Sequence, residues 1–167
     1  MLYGVEEPNV VDIKIGKTDA NSKLSEAKLK KQEKKSEISS TGKYGFRIVG
    51  LVTPQLKEYG FLFKEEELIR KVLRKVVDQH NRQEILSFIN KLQETLKQNK
   101  RVYYSTSLLI IRSKDKTAIR WIDFTYWHES DDENRNLVWG LTTSRKSSSE
   151  YLTFLCLFVN HLLNYFI

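Results

Sequence analysis

The sequence predicts an α+β fold, and three features carry that prediction. The chain has 167 residues, of which 40% are hydrophobic and 11% aromatic, so it can bury the core of one domain. Short segments in which apolar and polar residues alternate are typical of strands, and they occur near the start and in the second half of the chain. Between them lie two longer segments with the apolar spacing of amphipathic helices.

The expected elements follow from these patterns. The predicted strands are residues 9–15, 45–52, 102–111 and 118–124. The predicted helices are residues 23–35, 64–78 and 82–98. Ser22 is the expected N-cap of the first helix, Pro54 is expected to end the second strand, and a polar turn at 113–116 joins the last two strands as a hairpin. An acidic loop (129–133) follows. The apolar segment 151–167 is short for a membrane span and is expected to form a core helix.

Net charge points to the kind of partner. The chain has 28 Lys and Arg against 21 Asp and Glu, a net charge of +7. Such a surplus favours an anionic partner, which could be a phosphorylated small molecule, a nucleic acid or an acidic membrane surface. A single cysteine, Cys156, excludes an internal disulfide and is typical of a reducing compartment. The first residues do not have the pattern of a signal peptide, so we expect an intracellular protein.

Asp12 and Lys14 form the first candidate site. Side chains two residues apart on a strand project from the same face, so this carboxylate and this ammonium emerge together. That arrangement suits phosphoryl transfer, because the carboxylate can orient or deprotonate a hydroxyl while the lysine steadies the phosphoryl charge. The same spacing is also typical of a solvated ion pair on an edge strand.

The lysine-rich segment 23–35 is the second candidate site. It contains six lysines and two glutamates on a predicted helix. Several lysines on one helix can bind a multiply charged anion with little demand on geometry. A solvated helix face, an RNA-binding surface and an acidic-lipid surface are the alternatives for this segment. No aromatic residues are interleaved with the lysines, which counts against RNA.

An ordered series of motifs resembles one family. Residues 8–16, Pro-Asn-Val-Val-Asp-Ile-Lys-Ile-Gly, match PxxxDxKxG, the signature of the inositol polyphosphate kinases. Residues 39–50 resemble that family's Ser/Thr-rich lead into a GxRIxG strand, and residues 105–109 are similar to its SSLL motif. Residues 122–124 match its IDF motif, and residues 139–141 resemble its later FGL element. The sequence departs from the family after Phe124, where Thr-Tyr-Trp replaces the usual Ala-His/Lys-Thr.

The resemblance implies roles for individual residues. Asp12 would sit against the acceptor hydroxyl of the inositol ring, and Lys14 would contact the phosphates. Asp123 would hold the Mg²⁺ that bridges the ATP phosphates, with Ser107 in the same metal and phosphate shell. Without the resemblance, Asp123 could equally close the hairpin as a turn residue and Ser107 could be a plain strand hydroxyl. The implied substrate-binding residues of the basic helix are Lys31, Lys34 and Lys35, and Arg47 is expected to be structural.

The resemblance also implies an architecture. It corresponds to the larger carboxy-terminal lobe of a protein-kinase-like (SAICAR synthase-like) fold over residues 1–143, with a basic substrate-binding helix at about 22–36. Residues 144–167 would be a divergent apolar segment. Because only seven residues precede Pro8, the ATP-binding amino-terminal lobe is expected to be absent. Three functions are compatible with this: an ATP- and Mg²⁺-dependent inositol phosphate kinase, which would be inactive as this chain alone unless the missing lobe is supplied; a non-catalytic inositol-phosphate module; and a general binder of polyanions (RNA or acidic lipid). A cytoplasmic or nuclear location is expected, with nucleic acid and membrane the less favoured partners.

Overall fold

A computed structural model describes residues 7–15, 25–61, 64–98, 101–104, 106–123 and 126–129. Within these residues the chain forms, in order, β1 (Asn9–Ile15), α1 (Glu26–Ile38), α2 (Thr41–Tyr44), β2 (Phe46–Thr53), β3 (Leu56–Tyr59), α3 (Glu66–Leu73), α4 (Arg82–Gln98), β4 (Arg101–Tyr104), β5 (Ser107–Arg112), β6 (Thr117–Ile122) and β7 (Tyr126–Glu129).

Five of these strands form one antiparallel sheet in the order β3-β2-β1-β5-β6. β1 is therefore the central strand, with β2 on one side and β5 on the other. A separate pair, β4 with β7, is also antiparallel. The mixture of helices with antiparallel sheet confirms the predicted α+β class.

One face of the five-stranded sheet carries the hydrophobic core. Alternate residues of β1 are fully or almost fully buried, and they lie in rows with buried residues of the neighbouring strands. Apolar side chains of α3, α4 and the turn between them belong to the same buried cluster. The members of that cluster from β1, β2, β5 and β6 are Val11, Ile13, Ile15, Phe46, Ile48, Leu51, Leu108, Ile110 and Ile119. We call this the core face.

Two predicted elements are reproduced with their bounds, and others are shifted. Strand 9–15 and helix 82–98 are confirmed. The prediction of Ser22 as N-cap is wrong, because Ser25 is still in an extended conformation and the helix begins at Glu26, whose carboxylate suits a helix N-terminus. Helix 64–78 is shorter than predicted and covers Glu66–Leu73. The next residues are held as a turn, in which the Asn81 side chain donates to the Val76 carbonyl at 2.7 Å.

The predicted strand 102–111 is in fact two strands in two sheets. Arg101–Tyr104 pairs with β7, whereas Ser107–Arg112 pairs with β1 and β6. The Thr106 carbonyl accepts a hydrogen bond from the Ile15 amide at 3.1 Å, so β5 joins the central strand from this point onward. Continuous apolar character cannot show that a chain changes its pairing partner. The turn of the second hairpin lies where predicted, with the Ser113 amide bonded to the Lys116 carbonyl at 2.9 Å.

Three short elements were not predicted. β3 has four exposed residues and no buried face, so no alternating pattern marks it. α2 lies in the Ser/Thr-rich segment that leads into the second predicted strand, and β7 follows the last predicted strand. The later part of the acidic loop, the 139–141 motif, Cys156 and the apolar segment 151–167 lie outside the described residues. In the part of the chain that the structure describes, no helix is long and apolar enough to cross a membrane.

The far end of the sheet is tied to the helices by a polar cluster. Arg112 Nη2 donates to Asp78 Oδ2 at 2.6 Å, and Asp78 Oδ1 accepts from the backbone amides of His80 and Asn81 at 2.8 and 3.0 Å. Asn81 Nδ2 in turn donates to Thr117 Oγ1 at 3.0 Å. One carboxylate thus connects the β5–β6 hairpin to the turn before α4.

We expect Asp78→Ala to lower the free energy of unfolding by about 2 kcal/mol. The change removes the carboxylate oxygen that accepts hydrogen bonds from two backbone amides, and it also removes the ion-pair partner of a mostly buried arginine. Urea denaturation of the full chain measures the effect. Asp115→Ala is the control, because Asp115 lies exposed in the 113–116 turn. A loss no larger than that of Asp115→Ala would contradict this account of the cluster.

Candidate functional site

The sheet face opposite the core carries the sequence-predicted catalytic residues. Asp12 and Lys14 alternate with the buried residues of β1 and are both partly exposed. The strand register extends each of them into a row of residues that share this face. The Asp12 row is Tyr59, Gly50, Asp12, Leu109 and Arg120, and the Lys14 row is Arg47, Lys14, Ser107 and Ile122. We call this the Asp12 face.

Ser107 and Asp123 reach the site from β5 and from the end of β6. Ser107 lies directly opposite Lys14 on one side and Ile122 on the other, and it is 1% exposed. Asp123 is the next residue after Ile122 and has a backbone φ of 68°, in the left-handed region. Non-glycine residues rarely adopt this conformation, although aspartate does so more readily than most. Such strain is typical of functional positions.

Asp12 is an electrostatically perturbed carboxyl. Burial raises the pKa of Asp12 above its ordinary value of 3.8, and the negative charge of Asp123 raises it further. The neighbouring Ser107 hydroxyl and the positive charges of Lys14 and Arg47 act in the opposite direction, but burial outweighs them. A second carboxylate, a hydroxyl and two cations thus lie within electrostatic range of Asp12.

Two buried oxygen atoms at this site have unsatisfied hydrogen-bonding capacity. Asp12 Oδ1 and Ser107 Oγ each lie buried without a hydrogen-bond partner among the described residues. The Ser107 hydroxyl is near enough to influence the Asp12 carboxyl, yet the two groups do not meet in hydrogen-bonding geometry. Buried oxygen atoms that lack partners are costly, so a ligand or ion is the natural occupant of this position.

The oxygen donors fit a hard divalent cation. Carboxylate, hydroxyl, phosphate and water oxygens are the ligands that Mg²⁺ prefers, and it keeps several waters rather than an all-protein cage. Asp123, Ser107 and Asp12 offer two carboxylates and a hydroxyl. No cluster of three or more His, Cys, Asp and Glu side chains occurs among the residues that the structure describes. The donor set is therefore one that phosphate oxygens would have to complete.

Arg47 was expected to be structural, and the structure places it beside the site. It lies directly across from Lys14 on β2 and is 8% exposed. Its Nη1 donates to Thr41 Oγ1 at 3.2 Å, and its charge lowers the pKa of Asp12. The sequence does not reveal this position, because only the strand register shows that Arg47 lies opposite Lys14 and shares its face.

A second missed neighbour is Tyr59. Its ring lies against Gly50, the residue opposite Asp12, so that a Cβ added at Gly50 would come within 2.9 Å of the ring and 3.6 Å of the Asp12 Cβ. Beside Gly50 the β1–β2 register shifts by one residue at Val49. Bulges of this kind are frequent next to active sites, because they change the direction of a strand. The exposed ring of Tyr59 thus forms the β3 end of the Asp12 row.

Helix α1 has two differently charged sides. Lys31, Lys34 and Lys35, at i, i+3 and i+4, share one side and are all exposed. We call this the lysine side. The other side carries Lys30 with three glutamates, and Lys30 Nζ is paired with Glu26 Oε1 at 2.7 Å. The three lysines predicted to bind substrate therefore form one continuous positive surface, while Lys30 belongs to the acidic side.

The structure thus brings four of the predicted residues together on the Asp12 face or at its edge: Asp12, Lys14, Ser107 and Asp123. The lysine side lies on a separate helix, whose end reaches this face through Thr41 and Arg47. The predicted site residues that the structure describes lie in four segments of the chain, namely β1, α1, β5 and the residue after β6. Their individual roles remain predictions.

Comparison with known proteins identifies similar sequences and similar folds. The inositol polyphosphate multikinase of Saccharomyces cerevisiae is 45% identical over 51 residues, which are 30% of this chain and 14% of that enzyme's length. The chain therefore matches far less than two thirds of this relative. A structure from a study of the structure and engineering of inositol phosphate multikinase superposes with a TM-score of 0.72 at 21% identity, covering 98% of this chain and 83% of the other.

A second solved structure is the inositol phosphate multikinase of S. cerevisiae in complex with ADP and Mn²⁺. It superposes with a TM-score of 0.68 at 19% identity and covers 98% of this chain and 81% of the other. At this level of identity the two superpositions establish a shared fold. The sequence profile of the family described as inositol polyphosphate kinase matches residues 1–152. That match covers most of the chain, which therefore belongs to the inositol polyphosphate kinase family.

Proposed function

We propose that this protein transfers a phosphoryl group from ATP to a hydroxyl of an inositol polyphosphate. The observation that carries the proposal is the Asp12 face, where register places Asp12 and Lys14 on the central strand, Ser107 beside Lys14, and Asp123 within electrostatic range of Asp12. Family membership supplies the class of reaction. Phosphoryl transfer depends mainly on positioning and charge stabilisation, and this arrangement offers both.

Asp12 is the group that orients the acceptor hydroxyl. Its Oδ1 is buried and lacks a hydrogen-bond partner among the described residues, so it is available to accept the hydroxyl proton. Burial raises its pKa and makes it a stronger base than an exposed aspartate. Lys14, one strand period away, carries the positive charge that would steady the transferred phosphoryl group.

Asp123 and Ser107 are the residues that would hold a divalent cation. The solved relative complexed with ADP and Mn²⁺ supports a nucleotide and a metal in this family, and we propose Mg²⁺ and ATP for this chain. When bound, the cation would neutralise charge on the phosphates of the donor. The left-handed backbone of Asp123 restricts the position of this residue just after the end of β6, and its carboxylate is within electrostatic range of Asp12.

The lysine side of α1 is proposed to bind the remaining phosphates of the substrate. An inositol polyphosphate concentrates many negative charges in a small volume, and three exposed lysines on one side of a helix match that charge. The general polyanion binder is a second candidate, because the same exposed lysines would attract RNA or acidic lipid.

Measured phosphoryl transfer tests the proposal. The purified full chain, incubated with labelled ATP, Mg²⁺ and inositol trisphosphate or hexakisphosphate, should give a labelled inositol phosphate. Lys14→Ala should lower kcat/KM by about 100-fold or more, the usual scale for removing one transition-state charge contact. The matched control is Lys57→Ala, an exposed lysine on edge strand β3 of the same sheet.

The lysine side is tested separately by calorimetry with inositol hexakisphosphate at physiological salt. We expect the triple change Lys31→Ala, Lys34→Ala and Lys35→Ala to weaken binding by about tenfold or more, since each lost charge contact is worth roughly 0.5–1 kcal/mol. Lys30→Ala is the control, because Lys30 lies on the same helix but is paired with Glu26. If RNA competes equally well and salt abolishes all binding, the polyanion-binder function replaces the kinase proposal. Binding of ADP with Mn²⁺ to the same chain tests whether it holds nucleotide by itself.

A further inference from the structure

Arg47 is a buried cation held by a buried hydroxyl network. Its Nη1 donates to Thr41 Oγ1 at 3.2 Å, and that oxygen also accepts from Ser39 Oγ at 3.1 Å. Thr41 is completely buried and Ser39 is 1% exposed. A guanidinium removed from water is costly unless it is hydrogen-bonded, so this arrangement fixes the side chain in one place.

Arg47 is fixed directly opposite a second cation. Lys14 is its partner on β1, and like charges opposite each other in a sheet are destabilising. The Asp12 carboxyl lies near enough for the positive charge of Arg47 to lower its pKa. An anion bound on the Asp12 face would therefore lie near both cations.

The other end of the network leads to the lysine side. Ser39 and Thr41 follow directly on α1, which ends at Ile38. The last turn of α1 packs closely on α2, because a Cβ added at Gly42 would come within 2.9 Å of the Ser36 carbonyl oxygen. Ser40 Oγ also donates to the Phe46 carbonyl at 2.8 Å, and this hydrogen bond connects the link between α1 and α2 to β2. A continuous set of contacts thus joins the end of α1 to the strand opposite Lys14.

We propose that Arg47 is a positioning residue that, through Thr41, fixes the lysine side of α1 relative to Lys14, so that one inositol polyphosphate is held by both at once. The inference rests on the proposed function and adds a part to it, namely that the two phosphate-binding surfaces are mechanically linked. If the link exists, the contribution of the lysine side to binding affinity depends on Arg47 and Thr41. If it does not, the two contributions are independent.

A double-mutant cycle on affinity for inositol hexakisphosphate tests this link in the full chain. The first arm is Thr41→Val, which keeps the shape of the side chain but removes the oxygen that Arg47 binds. The second arm is the triple alanine change at Lys31, Lys34 and Lys35. We expect Thr41→Val alone to weaken binding by about tenfold. The triple change should weaken binding by about tenfold in the native chain and should have little further effect in the Thr41→Val chain. Arg47→Lys, which keeps the charge but not the planar fork, should behave like Thr41→Val.

Arg112→Met is the control for a purely structural effect. Arg112 is also a mostly buried, hydrogen-bonded arginine of the same sheet, but it lies at the far end with Asp78 and Thr117. Its loss should lower stability and leave both affinity and the effect of the triple change unaltered. Additive effects of Thr41→Val and the triple change would overturn the inference while leaving the proposed function standing. If the native chain does not bind inositol hexakisphosphate, the proposed function fails and the inference fails with it.

Discussion

Asp12→Asn should abolish phosphoryl transfer and yet make the protein more stable at neutral pH. The loss of activity is expected to be about 1000-fold or more, because the change removes the group that orients and deprotonates the acceptor hydroxyl. The gain in stability is expected because Asp12 occupies a position that disfavours its ionised form, as its raised pKa shows. Removing a poorly compensated buried charge should add about 1 kcal/mol to the free energy of unfolding.

The stability gain should depend on pH in a definite direction. A carboxyl whose pKa is higher in the folded than in the unfolded state destabilises the fold once pH exceeds the unfolded value of 3.8. The penalty grows as pH rises from 3.8 through the raised folded pKa and is constant above it. Below 3.8 the group is protonated in both states and the penalty vanishes. The advantage of Asp12→Asn should therefore be larger at pH 7 than at pH 4 and should disappear as the pH falls below 3.8.

Thermal unfolding of both proteins between pH 3 and pH 7 would measure this dependence. These endpoints bracket the ordinary carboxyl pKa range of about 4. Asp115→Asn, in the exposed 113–116 turn, is the control and should show neither the stability gain nor the loss of activity. A variant less stable than the native chain at pH 7 would show that Asp12 makes stabilising contacts in its ionised form, which this account denies.

The second large effect is expected at Asp123, where the residues that suit the backbone conformation differ from those that can bind a metal ion. Glycine and asparagine both tolerate a φ of 68° and both remove the charge that opposes Asp12. Asp123→Gly and Asp123→Asn should therefore be at least as stable as the native chain. Asp123→Ala should be less stable by about 1 kcal/mol, because alanine pays the full cost of the left-handed conformation.

All three variants at Asp123 should lose metal-dependent function alike, whatever their stability. Calorimetry with ADP and Mn²⁺ would report metal-dependent nucleotide binding, and a fall of about 100-fold in kcat/KM is expected for each. Denaturant titration gives the stability order. Function that followed stability, with Asp123→Ala poorest and Asp123→Gly near native, would mean that this residue acts through the fold rather than as an oxygen donor.

The predicted strand 102–111 differs from the structure at β5. The apolar residues of 102–111 predicted one strand, and the chain instead forms β4 (Arg101–Tyr104) and β5 (Ser107–Arg112), which belong to different sheets. An alternating or apolar pattern reports that a residue is buried, but burial against β1 and burial against β7 look the same in one sequence. The choice is made by long-range hydrogen bonds, such as that from the Ile15 amide to the Thr106 carbonyl.

Local periodicity and contiguous motifs in the sequence predicted the α+β class, strand 9–15 with Asp12 and Lys14 on one face, helix 82–98, and the resemblance to inositol polyphosphate kinases. The pairing of the strands was visible only in the folded chain. Pairing makes strand 9–15 the central strand, puts Ser107 and Arg47 beside Lys14, and brings Asp123 near Asp12. Strand pairing joins residues distant in sequence through backbone hydrogen bonds, which are available to almost every residue and so leave little trace in residue type.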